Sequence, residues 1–264
     1  ARPSREVARL EAEPESGRKC LAFAYNDYPD ENIWNTIHMI AQYTRQHGCN
    51  LLDCKIYPDT PTETILNLVQ SRTDCAGLVL LFGSDQMDRE QLEALGRLPM
   101  RVVAVDSMFF YSDFLPDNVY VLSPDGADCA EKMAEVLVRR GHRRIGFVST
   151  PLQTTFLERY IGYCNTLLAH GIAVDNAIVQ RFFRYEEAER DLAKLLDCAE
   201  PPTAIFAAND TMGAAVYRVL RKRGLHIPGD ISVIANSEVP SAARCDPPLT
   251  TVARDFDGYV REVR

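Results

Sequence analysis

Short apolar runs alternate with helical stripes along most of the chain. Residues 20–25, 77–82 and 101–106 are brief and almost continuously apolar, which marks them as buried strands, and 50–54 starts another. The segments between them carry apolar residues at helical spacing. The first, about Asn32 to His47, sets Ile33, Ile37, Ile40 and Ala41 on one stripe and ends at Gly48. The second, 60–72, has Thr60 as its N-cap and Pro61 at its first helical position, and the third covers 87–96. An irregular stretch, 107–118, breaks the rhythm with Met108, Phe109, Phe110, Tyr111 and Phe114. The alternation then restarts: strand 119–122, helix 125–140, strand 144–148, helix 155–170, strand 178–182, helix 185–197, strand 203–208. Met212, Ala215, Val216, Val219 and Leu220 give the next helix its core stripe, Gly224 closes it, and Pro228-Gly229-Asp230 turns the chain into a strand at 231–235. Residues 247–252 are extended, and a further helix begins near Asp255.

This order predicts an α/β fold of parallel sheets with helices on both faces, and the restart predicts two doubly wound lobes in series. Parallel strands place their carboxyl ends on one edge, where open α/β sheets bind ligands. Residues 1–19 are charged, hold two prolines and contain no strand, so they read as a solvated linker or tail, with 3–10 able to form a short helix.

Composition narrows the function. The 264 residues are 46% hydrophobic and 25% charged with net charge −8, the profile of a soluble globular protein and a poor match to a nucleic-acid surface. The eight cysteines are scattered without a CxxC pair, which favours buried, reduced thiols in a cytoplasmic protein over a disulfide framework. No apolar run approaches the roughly 20 residues of a membrane span. There is no GxSxG, Walker A, HExxH or early GxGxxG, and no spacing that calls for a metal or cofactor. His142, in GHRRI, reads as a residue packing a helix end. Neither an enzyme nor a metal site is expected.

Polar side chains gather at the strand ends instead: Asn26 and Asp27, Asp106, Asn209 and Asp210, and Asn236-Ser237-Glu238. Carboxylates and carboxamides can accept from and donate to the neighbouring hydroxyls of a sugar or polyol, although each of these residues is equally at home as a turn former or helix cap. Arg159, one turn into a helix, can fork onto a carboxylate, phosphate or hydroxyl pair, or stay a solvated charge. Trp34, the sole tryptophan, can stack on a sugar face or staple its helix.

Three stretches carry a resemblance: GHRRIGFVST (141–150) with RYIGY (159–163), PPTAIFAANDTMGAAVYRVLRKRGLHIPGDISVIA (201–235), and DPPLTTVARDF (246–256). In this order and spacing the chain resembles the effector-binding core of the LacI/GalR family of bacterial transcription repressors, and the periplasmic sugar-binding proteins that share that type I fold. The resemblance covers residues 19–264. It implies two lobes around a cleft, with 19–122 plus 253–264 as the N-terminal lobe, 123–252 as the C-terminal lobe and 1–18 as a linker or hinge helix. It implies effector contacts from Asn26, Asp27, Trp34, Asp106, Arg159 and Asn209, with Ser237 and Glu238 at the last strand end. The family's aspartate is replaced by Ser237, which puts an ordinary hexose effector in doubt. The run from Pro3 to Leu10 resembles the hinge helix that enters the DNA minor groove. The implied protein is a cytoplasmic homodimeric regulator, no membrane protein, with operator DNA read by a domain outside this chain. Effector in the cleft would change the angle between the lobes and so the DNA affinity. The alternative is a solute-binding protein of a sugar transporter.

Overall fold

The computed structural model describes residues 19–26, 31–56, 62–81, 89–105, 115–122, 125–150, 154–182, 187–236 and 240–252. The chain divides into two units that meet in sequence at Val121 and Leu122.

The first unit is built from β1 (Cys20–Asn26), α1 (Glu31–Gln46), β2 (Asn50–Ile56), α2 (Thr62–Gln70), β3 (Cys75–Leu81), α3 (Arg89–Gly96), β4 (Arg101–Val105) and β5 (Val119–Leu122). Its sheet runs β2-β1-β3-β4-β5, and the pairs β1–β2, β1–β3 and β3–β4 are parallel. Side chains alternate across the pleat. Ala22, Ala24, Leu78, Leu80, Val102 and Ala104 lie on the face that packs on Leu66 and Val69 of α2 and Leu92 and Leu95 of α3. The intervening residues Phe23, Val79 and Val105 are equally buried, so both faces are covered. The uninterrupted apolar strands of the sequence have this cause.

The second unit follows the same plan. Its elements are α4 (Gly126–Arg139), β6 (Ile145–Ser149), α5 (Thr154–Ala169), β7 (Val179–Arg181), α6 (Ala188–Leu196), β8 (Ala204–Ala207), α7 (Asp210–Lys222), β9 (Ser232–Ala235), α8 (Pro240–Ala243) and β10 (Thr250–Thr251). The sheet runs β7-β6-β8-β9-β10 with all four pairs parallel. Counting strands from the start of each unit, both sheets have the order 2-1-3-4-5. Ile145, Phe147, Ala204 and Phe206 face α4 and α5. Val148, Ile205 and Ala207 face α6 and α7. Phe147, Tyr163 and Phe206 form an aromatic knot, with Tyr163 Oη donating to the Ile145 carbonyl at 2.7 Å. All five residues expected to form the stripe of α7 are buried. The short α8 has no counterpart in the sequence reading, because four residues cannot display a helical period.

Helices α4 and α5 approach to backbone contact. A Cβ added at Gly162 on α5 would overlap the Ala127 carbonyl oxygen and lie 2.9 Å from Ala130 Cβ. Glycine in mid-helix costs about 1 kcal/mol relative to alanine, and here the close approach demands it.

His142 closes the end of α4, its backbone N donating to the Leu137 carbonyl at 3.1 Å, and its ring also reaches the start of the sheet. Its Nδ1 lies 2.9 Å from Thr203 Oγ1, just before β8, and its Nε2 lies 3.1 Å from Ser232 Oγ, the first residue of β9. One imidazole thus ties the amino ends of three strands. Burial first, and the nearby Arg140 second, lower its pKa below the ordinary histidine value.

Two outcomes are expected. Gly162→Ala should lower stability by about 2 kcal/mol, because the obstacle is backbone and the two helices must part; urea midpoints measure it. The depressed His142 pKa means that the unfolded chain binds the proton more readily. Its contribution is present above the ordinary histidine value and is lost as pH falls from there through the lower folded value. Unfolding free energy should therefore drop more between pH 7 and pH 5 in the native chain than in His142→Gln.

Candidate functional site

In a 2-1-3-4-5 sheet the helices change sides between the first and third strands of the order, and the carboxyl ends there flank a crevice. In the second unit that point lies between β6 and β8. Ser149 ends β6 fully buried, with Oγ donating to the Thr150 carbonyl at 2.6 Å. Backbone pairing continues past the strand ends: Ala208 N donates to Val148 O at 2.7 Å, and Asn236 N donates to Ala207 O at 3.2 Å.

Arg159 closes this edge. It lies on the second turn of α5, only 7% exposed. Its Nη1 donates to the Ala208 carbonyl at 2.6 Å, and its guanidinium lies 5.5 Å from the Phe156 ring centre. The residue that the sequence offers as either a ligand fork or a solvated charge is thus buried and bonded to backbone. A guanidinium carries five N–H donors in a fixed fork, so this bond occupies one of them. Its neighbour Glu158 points toward Gly126 at the start of α4, where an added Cβ would lie 2.6 Å from Glu158 Oε2. Burial raises the Glu158 pKa, and Asp125 adds to the effect; the Gly126 amide and Arg159 oppose it.

Asn209 is the N-cap of α7. Its backbone is extended, and Oδ1 accepts from Met212 N at 2.8 Å. The capping reading therefore holds for its oxygen, and Nδ2 is the group that can face a ligand. Asp210 is the first residue of α7, and Asn236, just past β9, is 5% exposed. The structure brings the ends of β6, β8 and β9 side by side, with Arg159 across the first two. Arg181, at the end of β7, holds its guanidinium 5.4 Å from the Tyr160 ring centre.

In the first unit, Asn26 ends β1 opposite Ile56. Trp34 lies in the first turn of α1 and is 47% exposed. Asp27, Asp106, Ser237 and Glu238, and the hinge candidates Pro3 and Leu10, lie outside the described residues, as does the Asn26 side chain. Ser149 was not among the residues singled out from sequence. The signal was there, a hydroxyl pair ending a wholly apolar strand, and it is the same signal that picked out Asn209. Among the described residues there is no cluster of three or more His, Cys, Asp or Glu fit to hold a metal. No described helix is long and apolar enough to cross a membrane. A hollow of about 310 Å³, lined by Tyr217, Arg221, His226 and Asp246 among others, lies at the opposite, amino-terminal edge of the second sheet.

Residues 134–263 match the periplasmic binding protein-like domain. The repressor CytR of Escherichia coli is 31% identical over 233 residues, which cover 86% of this chain and 65% of that protein. A regulatory protein of the LacI family from Chloroflexus aggregans superposes with a TM-score of 0.78 at 21% identity, over 91% of this chain and 87% of its own. A CelR–cellobiose complex superposes with a TM-score of 0.75 at 23% identity, over 93% and 76%.

The chain carries a periplasmic binding protein-like domain and is similar to regulators of the LacI family.

These relatives are named as a repressor and a regulatory protein. The chain spans 65% of CytR's length.

Asn209→Ala removes an N-cap and should cost about 1 kcal/mol. Arg159→Ala leaves the Ala208 carbonyl without its charged donor and should cost about 2 kcal/mol. Urea denaturation of the two variants measures both, and Arg159→Lys should recover only part of the loss, because an ammonium lacks the planar fork.

Proposed function

We propose that this chain is the effector-sensing and dimerisation core of a bacterial DNA-binding transcriptional regulator. A small polar metabolite, a sugar or a relative of one, binds at the carboxyl edge of the strands and is coupled to operator binding by another part of the protein. The observation that carries this reading is the 31% identity to a transcriptional repressor across 86% of the chain. It favours a cytoplasmic regulator over a solute-binding protein of a transporter.

The side chains support a polar, hydroxyl-rich ligand. Arg159 can offer donors beyond the one on Ala208, Asn209 offers Nδ2, and the half-exposed ring of Trp34 offers an apolar face. Asn26, Asp27, Asp106 and Glu238 complete the proposed contact set with acceptors. Ser237 brings a hydroxyl where a carboxylate would grip a pair of sugar hydroxyls, which shifts the proposal from a plain hexose toward a modified sugar or another polar metabolite. Effector and operator affinities are then reciprocally coupled.

Thermal shift against sugars, sugar phosphates and nucleosides tests this. At least one class should raise the melting temperature, and Arg159→Ala and Asp106→Ala should each abolish the shift. A shift retained in both variants would place the ligand elsewhere. Absence of any shift would overturn the sensing role. Mobility-shift titration of the full-length protein on its own promoter region, with and without the stabilising compound, tests the coupling.

A further inference from the structure

Two cysteines 55 positions apart in sequence, Cys20 and Cys75, are direct neighbours in the first sheet. Cys20 opens β1 and Cys75 opens β3, and their Cα atoms are register partners. The next pair is Leu21 with Gly77, so β3 holds one extra residue at this point, a bulge. In unbroken register Ala76 would oppose Cys20, and Cys75 would turn to the other face. The bulge turns Cys75 back, so that it packs against the cluster that holds Ala22 and Ala24, the face to which Cys20 belongs by alternation. The two side chains are close enough to shift each other's titration, and Cys75 Sγ also lies 3.4 Å from the Gly77 carbonyl. Neighbouring strands lie about 4.8 Å apart, inside the Cα separation that a disulfide requires.

The pair is also asymmetric. Cys20 is 2% exposed, whereas Cys75 is half-buried and open to small reagents. The neighbouring Cys20 thiol lowers the Cys75 pKa; the backbone at Gly77 and Ala22 adds to this, while burial and Asp74 oppose it. The proton is held on Cys20, whose pKa is raised by Cys75 and by burial. Arg72, in a two-bond ion pair with Asp74, is the nearby cation. Cys54, on β2, is raised by burial and stays a thiol.

We propose that Cys20 and Cys75 form a reversible dithiol–disulfide site, oxidised by a hydroperoxide. The Cys75 thiolate attacks one peroxide oxygen; the O–O bond breaks, the leaving oxygen departs as water or alcohol after taking a proton, and Cys75 becomes a sulfenic acid. Cys20 gives up its proton and attacks the Cys75 sulfur. The S–O bond breaks, the hydroxide takes that proton and leaves as water, and the S–S bond forms. The two thiols lose two electrons and two protons, and the peroxide accepts them. A small thiol reverses the bond by exchange. The cross-link joins two adjacent central strands at the amino-terminal edge of their sheet, independently of any effector.

Peptide mapping of the full chain tests the site. Reduced protein is treated with one equivalent of hydrogen peroxide at pH 7, alkylated and digested. The expected product is a Cys20–Cys75 linked peptide pair that has lost two hydrogens and separates with dithiothreitol. Performing the oxidation in urea should scatter the links. Cys20→Ser should leave a Cys75 sulfenic acid that dimedone traps, and iodoacetamide should label Cys75 at a lower pH than Cys49. No native link, or links scattered among the cysteines without urea, would overturn the proposal. So would Cys75 labelling no faster than Cys49. The native-chain mapping decides the matter even if a serine variant fails to fold.

Discussion

Arg159 donating to the carbonyl of Ala208 is the contact that gives the second unit a defined carboxyl edge. A strand covered by helices on both faces has no polar side chains of its own until it ends. Its last carbonyl then points away from the ladder and must find a donor. Ala208 is that last position, and a buried guanidinium on the neighbouring helix reaches it. The same bond fixes the start of α7, because Asn209 follows at once and caps the helix with its own oxygen. Strand end, helix start and the first half of α5 are thereby held as one piece. A ligand group arriving at this edge meets donors already oriented and loses little entropy in ordering them.

The repetition of the 2-1-3-4-5 order gives each unit its own crevice position. In the second sheet Ser149 and Asn209 follow the first and third strands in chain order. The central strands β3, β6 and β8 are apolar along almost their whole length and set the spacing. Polar side chains therefore gather at the two ends of the strands, because burying them in the middle is costly.

Much of this was legible from the residues in order. Fully buried parallel strands are recognisable because they are short and continuously apolar, and the stripe of α7 follows from its period. Asn209 stood out because a carboxamide directly after Ala207-Ala208 has no apolar role. Three features were not legible, for a common reason. The helix-end position of His142 was legible, but not its tie across the sheet, because its ring partners, Thr203 and Ser232, are distant in sequence. Burial of six of the eight cysteines is only partial, whereas the scattered pattern promised buried thiols. The meeting of Cys20 and Cys75 depends on a one-residue bulge that leaves no mark in hydrophobic pattern. Side chains that act across strands are fixed by register, and register is set by the whole sheet.

The clamp at His142 has a consequence for how such a chain can change over generations. By tying the starts of β6, β8 and β9 through one ring, it holds strand alignment from the end farthest from the ligand edge. The loops after those strands are then released from keeping alignment themselves. If the proposed ligand site lies there, substitutions in those loops would change what it binds without shifting the strands. A protein that had to hold its register from the ligand edge would have no such freedom to explore.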